Sequence, residues 1–375
     1  MTAARASALS PALSVWLDLC RILAALFVFI GHAVGLGVAP GDWSGQWHRS
    51  ADDAVTAFFV ISGIVIAHTS WRRRDEGLRA YAVARLSRVY SVAVPAVLFA
   101  YAVDLIGMRL DASHYVPQWQ YPQPWLYIPL HWAFLGETWL GAFQPFTMAP
   151  YWSLAYEAWY YALFGCLFFL RGWMRWAWAI ALLLAMGPRI WLLMPLWWLG
   201  VWLHARLQVG SVRPLMAWLM MASLPLGYAA LILSGAQREL DVASKAMYAA
   251  MSARLPFPFF SGSSVHVLSD LVMAVLFAVF VVGCAHSGWS FGPRTRAFIQ
   301  RVAGFSFTFY LIHYTLLTLA LALGWARLSE LGFAGLLVGV LAVTWLHAQV
   351  GEQRRGVYAR WIDRCLPGRL RRQAA

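Results

Sequence analysis

Two polar side chains in the first apolar stretch of the sequence are spaced for joint action. Arg21 and His32 lie eleven residues apart. On an α-helix that interval is three turns plus about 20°, so both project from one face, about 16 Å apart along the axis. An ionisable group within a membrane span is costly and by default marks a function. A neutral imidazole accepts a proton near neutral pH, which makes His32 the best general base in the set. A lone buried histidine is more often structural, and the aligned Arg21 is what favours chemistry here. A polar stripe of this kind suits a ligand that reaches from one side of a bilayer toward the other.

Further groups fall on the same plan. Ser153 and Glu157, in the run Tyr151-Trp152-Ser153-Leu154-Ala155-Tyr156-Glu157, are four apart and share a helix face. Counted from the helix ends, Glu157 and His32 reach similar depths of about 8–9 Å. Glu157 is therefore expected to meet His32, orienting the ring and stabilising its protonated form as in a catalytic dyad. The plain alternative is a carboxylate that only ties two helices together. Arg85 and Arg88, at i and i+3, put two guanidinium forks on one helix face, a geometry suited to phosphate groups. Taken alone, a basic loop anchoring the topology explains them equally well. Ser62, before Gly63, is accounted for by close helix packing. Ser306, Tyr310 and His313 share a late apolar stretch. His313 is either a second site residue or a packing hydrogen bond, and spacing does not separate the two.

Taken in order along the chain, these stretches resemble the acyltransferase 3 family of membrane acyltransferases. The family's first helix carries an Arg, ten residues and a His, matched by Arg21 to His32. Its FFVLSGF-like run is matched by Phe58 to Ile64, its basic-x-x-Arg pair by Arg85 and Arg88, its WSLSxE-like motif by Trp152, Ser153, Leu154 and Glu157, and its late YLIH run by Tyr310 to His313. The sequence departs from the pattern at Ser91, where proline is frequent, and at Asp52 and Asp53, which lie earlier than the family's acidic residue. The resemblance covers roughly residues 15–350. It implies transfer of an acyl group, commonly acetyl from acetyl-CoA, to a hydroxyl of a carbohydrate or related acceptor. On that basis His32 and Glu157 are expected to be catalytic and Arg21, Arg85 and Arg88 to hold acyl-CoA. Ser62, Trp152, Ser153, Tyr310 and His313 are expected to line the site. Acyl-CoA is a co-substrate, and neither a permanent cofactor nor a metal is expected. The rival from another class is a transporter or flippase of a lipid-linked glycan, which also uses midplane ionisable residues. No convincing inverted repeat supports it. The membrane-bound O-acyltransferase class also uses an intramembrane histidine, and the Arg-to-His spacing disfavours it.

The elements that must position these groups are membrane helices. The 375 residues are 61% hydrophobic and 12% charged, against about 25% charge in a soluble domain. A surface this apolar needs lipid rather than water around it. The net charge of +13 is not read as a nucleic-acid face, because the basic residues are confined to short segments between apolar runs. At about 20 residues per crossing, the expected spans are 15–37, 53–70, 89–108, 151–170, 176–188, 190–205, 214–234, 266–286, 303–323 and 331–350. Gly187-Pro188-Arg189 separates the short fifth and sixth, which a broken or re-entrant pair would also explain. Most of the 29 Lys and Arg fall on alternate segments, including Arg5 and the run from Arg354 to Arg372, so both termini are expected to be cytoplasmic. The expected fold is an all-α integral membrane protein of about ten helices, most simply in a bacterial inner membrane. Residues 1–375 form one domain, with a core over about 15–350 and a basic cytoplasmic tail over 351–375 held by anionic lipid. Two long outer segments, 109–150 and 235–265, carry Trp119, Tyr121, Pro122, Trp125, Trp132, Trp139 and Pro256 to Phe260. An interfacial aromatic belt accounts for them at least as well as ligand stacking. Cys20, Cys166, Cys284 and Cys365 are too scattered for a disulfide frame or metal motif.

Overall fold

In a computed structural model, the described residues are 9–43, 45–115, 123–139, 143–207, 211–254 and 262–367, and every regular element among them is helical. In chain order the α-helices are α1 (Pro11–Gly35), α2 (Gln46–Arg72), α3 (Gly77–Leu110), α4 (Pro124–Trp132), α5 (Tyr151–Phe169), α6 (Gly172–Met186), α7 (Pro188–Arg206), α8 (Pro214–Leu233), α9 (Ala236–Ser252), α10 (Val267–His286), α11 (Pro293–Ala303), α12 (Ser306–Ala322), α13 (Glu330–Ala348) and α14 (Arg355–Cys365). Local sequence sets their ends. Proline opens α1, α7, α8 and α11, where its missing N–H is not needed. The Ser10 hydroxyl caps α1 by accepting from the Leu13 N–H at 3.1 Å. Gly187, at φ +81°, makes the turn between α6 and α7 that the Gly-Pro pair announces.

Each of the ten apolar stretches is helical, but fewer than ten of the helices have the length and hydropathy of a crossing. Among the described residues, six helices are long and apolar enough to cross a membrane: α1, α2, α3, α8, α10 and α13 with its continuation into α14. The pair α11–α12, bent by 50°, makes a seventh if it is one span. Helix α6 has only 15 residues, and α5 and α7 are dense in Trp and Tyr, which lowers their hydropathy. Helix α3 begins at Gly77, twelve residues before the expected span, because the segment from Leu78 to Leu86 holds no breaker. Arg85 and Arg88 therefore stand on a continuous helix rather than in a loop.

Helix α2 is central, packed between α1 and α7 and also touching α10. Small residues allow the close crossings. A methyl group on Gly63 would lie 2.1 Å from the Trp197 carbonyl oxygen, and one on Gly200 would lie 2.1 Å from that of Val60. Helix α3 packs against α12 and α14. The segment set apart as a tail is thus helical as far as Cys365 and fixed to the core. Arg79 Nε donates to Asp363 at 2.9 Å and its Nη1 to the Leu366 carbonyl at 2.8 Å.

At the end of the bundle away from Arg72, polar ties replace the expected loops. Arg49 binds Asp53 at 2.8 Å, Asp241 at 3.0 Å and Ser269 at 2.6 Å, joining α2, α9 and α10. Burial works to raise Asp241, but the hydrogen bonds from Arg49 and Ser269 outweigh it and leave that carboxyl below its usual range. Glu137, after α4, pairs with Arg189 of α7 at 3.1 Å, both side chains almost fully buried. Burial pushes Glu137 up to about 7 against the pull of Arg189. Trp119, Tyr121, Pro122 and Pro256 to Phe260, like Arg5 and the arginines after Pro367, lie outside the described residues.

Candidate active site

A cavity of about 680 Å³ opens at the arginine-rich end of α2 and runs inward between α1, α2, α3, α5 and α12. Arg21, Arg72, Arg73, Arg85, Arg88 and Arg355 line it, against the carboxyl groups of Glu76, Glu157 and Glu352. All three arginines singled out from spacing therefore meet in one chamber. They are held in distinct ways. Arg21 pairs with Asp18 at 3.0 Å. Arg85 donates to Thr69 Oγ1 at 2.6 Å and lies over the Tyr81 and Tyr161 rings. The Arg88 guanidinium lies over the Phe307 ring, 5.5 Å from its centroid. Six cations against three carboxylates leave the wall electropositive, the environment a polyphosphate needs.

Midway along the cavity, Glu157 Oε1 accepts hydrogen bonds from the Ser62 and Tyr161 hydroxyls. Ser62 Oγ in turn receives Trp197 Nε1 at 3.0 Å. The expected Glu157–His32 contact is replaced by this network. Equal depth does not fix helix rotation, and Glu157 faces α2 rather than α1. Trp152 packs its ring against Phe59 and Tyr156 and is not part of the cavity wall.

The inner end is closed by Phe58, Ser153 and Tyr310. The Phe58 and Tyr310 ring centroids are 4.9 Å apart. Ser153 donates to the Pro150 carbonyl at 3.1 Å and so receives the Tyr310 hydroxyl at 2.8 Å. His313, one turn along α12 and fully buried, lies behind Tyr310 with 6.3 Å between ring centroids. His32 completes the row: its Nδ1 is 2.8 Å from His313 Nε2. His32 is thus not a wall residue of the arginine chamber. It is bordered on its other sides by His48 and Tyr314. An electropositive chamber ends on hydroxyl groups, with a pair of imidazoles beyond them. A family model described as an acyltransferase domain matches residues 14–349. The chain belongs to the acyltransferase 3 family. No curated protein and no solved structure matches it.

Several groups of this acyltransferase's cavity were not singled out from the sequence. Tyr161 lies one turn beyond Glu157, and that spacing was the available signal. Glu352 accepts from the Thr308 N–H at 3.0 Å and from its hydroxyl at 2.8 Å, holding the start of α12 where the bent pair breaks. A carboxylate there also suits the helix dipole. Arg355 donates to the Ala84 carbonyl at 2.5 Å and to Ser87 Oγ at 3.3 Å. Both sit in what reads as a basic tail, and charge alone does not distinguish a wall residue from an anchor.

Proposed function

We propose that this membrane acyltransferase is an O-acetyltransferase that moves an acetyl group from acetyl-CoA to a hydroxyl of a carbohydrate or glycan-like acceptor. The observation that carries the reading is an electropositive chamber whose inner end, at Ser153 and Tyr310, lies next to His313 and its partner His32. In this reading the arginine end faces the cytoplasm of a bacterial inner membrane, with both termini on that side. The CoA phosphates lie among Arg72, Arg73, Arg85, Arg88 and Arg355, where bidentate charge-assisted bonds are strongest. The pantetheine arm follows α2 inward past Glu157 and Ser62. The ring contact of Phe58 and Tyr310 opens to admit the thioester to His32.

His32 takes the proton of the acceptor hydroxyl as its oxygen attacks the thioester carbonyl carbon. The carbonyl electrons move to oxygen, and the Tyr310 hydroxyl, turned from Ser153 as the rings part, donates to that charge, while Ser153 stays bound to the Pro150 carbonyl. Collapse breaks the C–S bond. CoA leaves as thiolate and receives the proton back from His32, so that one acetyl ester and one thiol are formed. Family membership favours this reading over the transporter or flippase. The test is CoA release from acetyl-CoA by purified protein, with mass spectrometry of surface glycans from cells with and without it. Thiol release that is lost in His32→Ala, together with loss of glycan acetyl groups, is expected. Uptake of a glycan into vesicles without thiol release would overturn it.

A further inference from the structure

The hydrogen-bond chain through His313 fixes which nitrogen of His32 is the base. His313 Nδ1 is 3.1 Å from the Phe309 carbonyl oxygen. A carbonyl only accepts, so His313 Nδ1 carries the hydrogen. In the neutral ring the other nitrogen, Nε2, is then a bare acceptor. That acceptor faces His32 Nδ1 at 2.8 Å, so His32 Nδ1 carries the hydrogen in turn. The unshared pair of His32 is left on Nε2. One backbone carbonyl, four residues back along α12, thereby sets both tautomers.

We propose that His313 is a positioning residue: it holds His32 as the Nδ1–H tautomer with Nε2 free to take the acceptor's proton. The proposal rests on the reading of His32 as base. His313 is fully buried, with rings on several sides: Phe309 at 5.8 Å, Phe29 at 6.0 Å and Tyr310 at 6.3 Å between centroids. It therefore has no freedom to turn and offer Nδ1 instead. The two imidazoles are also nearly parallel, at 16° between planes. The role an aspartate plays in a serine-hydrolase triad is here taken by a second, neutral imidazole. When His32 becomes an imidazolium, the bond to His313 Nε2 turns from neutral to charge-assisted and strengthens. The gain falls in the step that carries charge and not in the resting site, which is the differential a catalyst needs. The other titratable groups facing His32 are His48, at 6.4 Å between ring centroids, and Tyr314, at 5.1 Å.

The test compares His313→Phe, His313→Gln and His32→Ala in acetyl-CoA turnover. Phe keeps the buried ring and removes the acceptor; Gln restores an acceptor oxygen. His313→Phe is expected to lower kcat about 10- to 100-fold, the consequence of one buried donor left unpaired. Its KM for acetyl-CoA is expected to stay within about twofold, because the arginine chamber is untouched. Gln is expected to recover part of the loss. An unchanged kcat in His313→Phe, an equal loss in both variants, or a loss carried by KM would overturn the proposal. Full turnover in His32→Ala would instead remove the base assignment on which it stands.

Discussion

The arginines of the donor chamber are not equivalent, and their order of importance is readable from their existing partners. Arg355 already spends its guanidinium on the Ala84 carbonyl and Ser87. Arg85 spends one nitrogen on Thr69. Arg88 lies with its face over Phe307 and gives one hydrogen bond to Tyr161, which leaves its other N–H groups to fork onto a phosphate. A charge-assisted hydrogen bond is worth about 1.5–3 kcal/mol, and each 1.4 kcal/mol is about tenfold in affinity. Arg88→Ala is therefore expected to raise the KM for acetyl-CoA about 10- to 100-fold with kcat little changed. Arg85→Ala, whose guanidinium is held by one bond in the same way, should behave alike, and Arg355→Ala should cost least in binding. Initial rates of thiol release across a range of acetyl-CoA concentrations separate the two parameters. Raising the salt concentration should weaken donor binding in the wild type more than in Arg88→Ala, because part of the attraction is screened. An Arg88→Ala enzyme with normal KM, or one whose loss lies in kcat alone, would refute the assignment of this chamber to the CoA phosphates.

Three further outcomes are expected. Glu137 titrates near 7 in the fold against an ordinary 4.5, so the folded state binds the extra proton. Its contribution to stability is present below about pH 4.5 and lost as pH rises through 7, a change of about 3 kcal/mol. Thermal unfolding followed from pH 5 to 8 should show a shallower decline in Glu137→Gln than in the wild type. Gly63→Ala forces a methyl group into the Trp197 carbonyl, and overpacking of this kind costs about 1–3 kcal/mol; a Tm lowered by several degrees, with altered Trp197 fluorescence, checks it. Truncation after residue 350 removes Glu352 and Arg355 from the chamber. It should abolish measurable acetyl-CoA turnover even in protein that still reaches the membrane, where loss of a mere anchor would leave turnover intact.

Much of the site was legible because helix geometry is local. The i, i+3 and i, i+4 spacings that put Arg85 beside Arg88 and Ser153 on the face of Glu157 hold in the structure, and with Arg21 and Ser62 these groups line one chamber. What one helix says about another was not legible. Depth along α1 and α5 placed His32 and Glu157 at one level, yet rotation of α5 turns Glu157 to Ser62 and Tyr161, and His32 finds its partner almost three hundred residues away in His313. The run from Glu352 to Arg364 failed for a different reason. Basic residues beside a bilayer are explained by lipid charge whether or not they also face a cavity, so composition carried no sign that α14 returns to pack on α3. Of the ten expected crossings, six or seven are matched by helices of sufficient length and hydropathy among the described residues, because Trp- and Tyr-rich α5 and α7 and the short α6 look apolar by count while falling short on one of those measures.

The tilted contact of Phe58 with Tyr310 bears on how such an enzyme lives in an energised membrane. A chamber that penetrates far into the bilayer from one face is half of an aqueous pore, and a proton current through it would drain the gradient the cell depends on. With 4.9 Å between the two ring centroids and 53° between their planes, the rings touch edge against face across the inner end. If the donor is the proposed thioester, the same pair of rings would serve both transfer and insulation: the carrier's acyl end would part them, whereas a bare ion gains nothing by doing so.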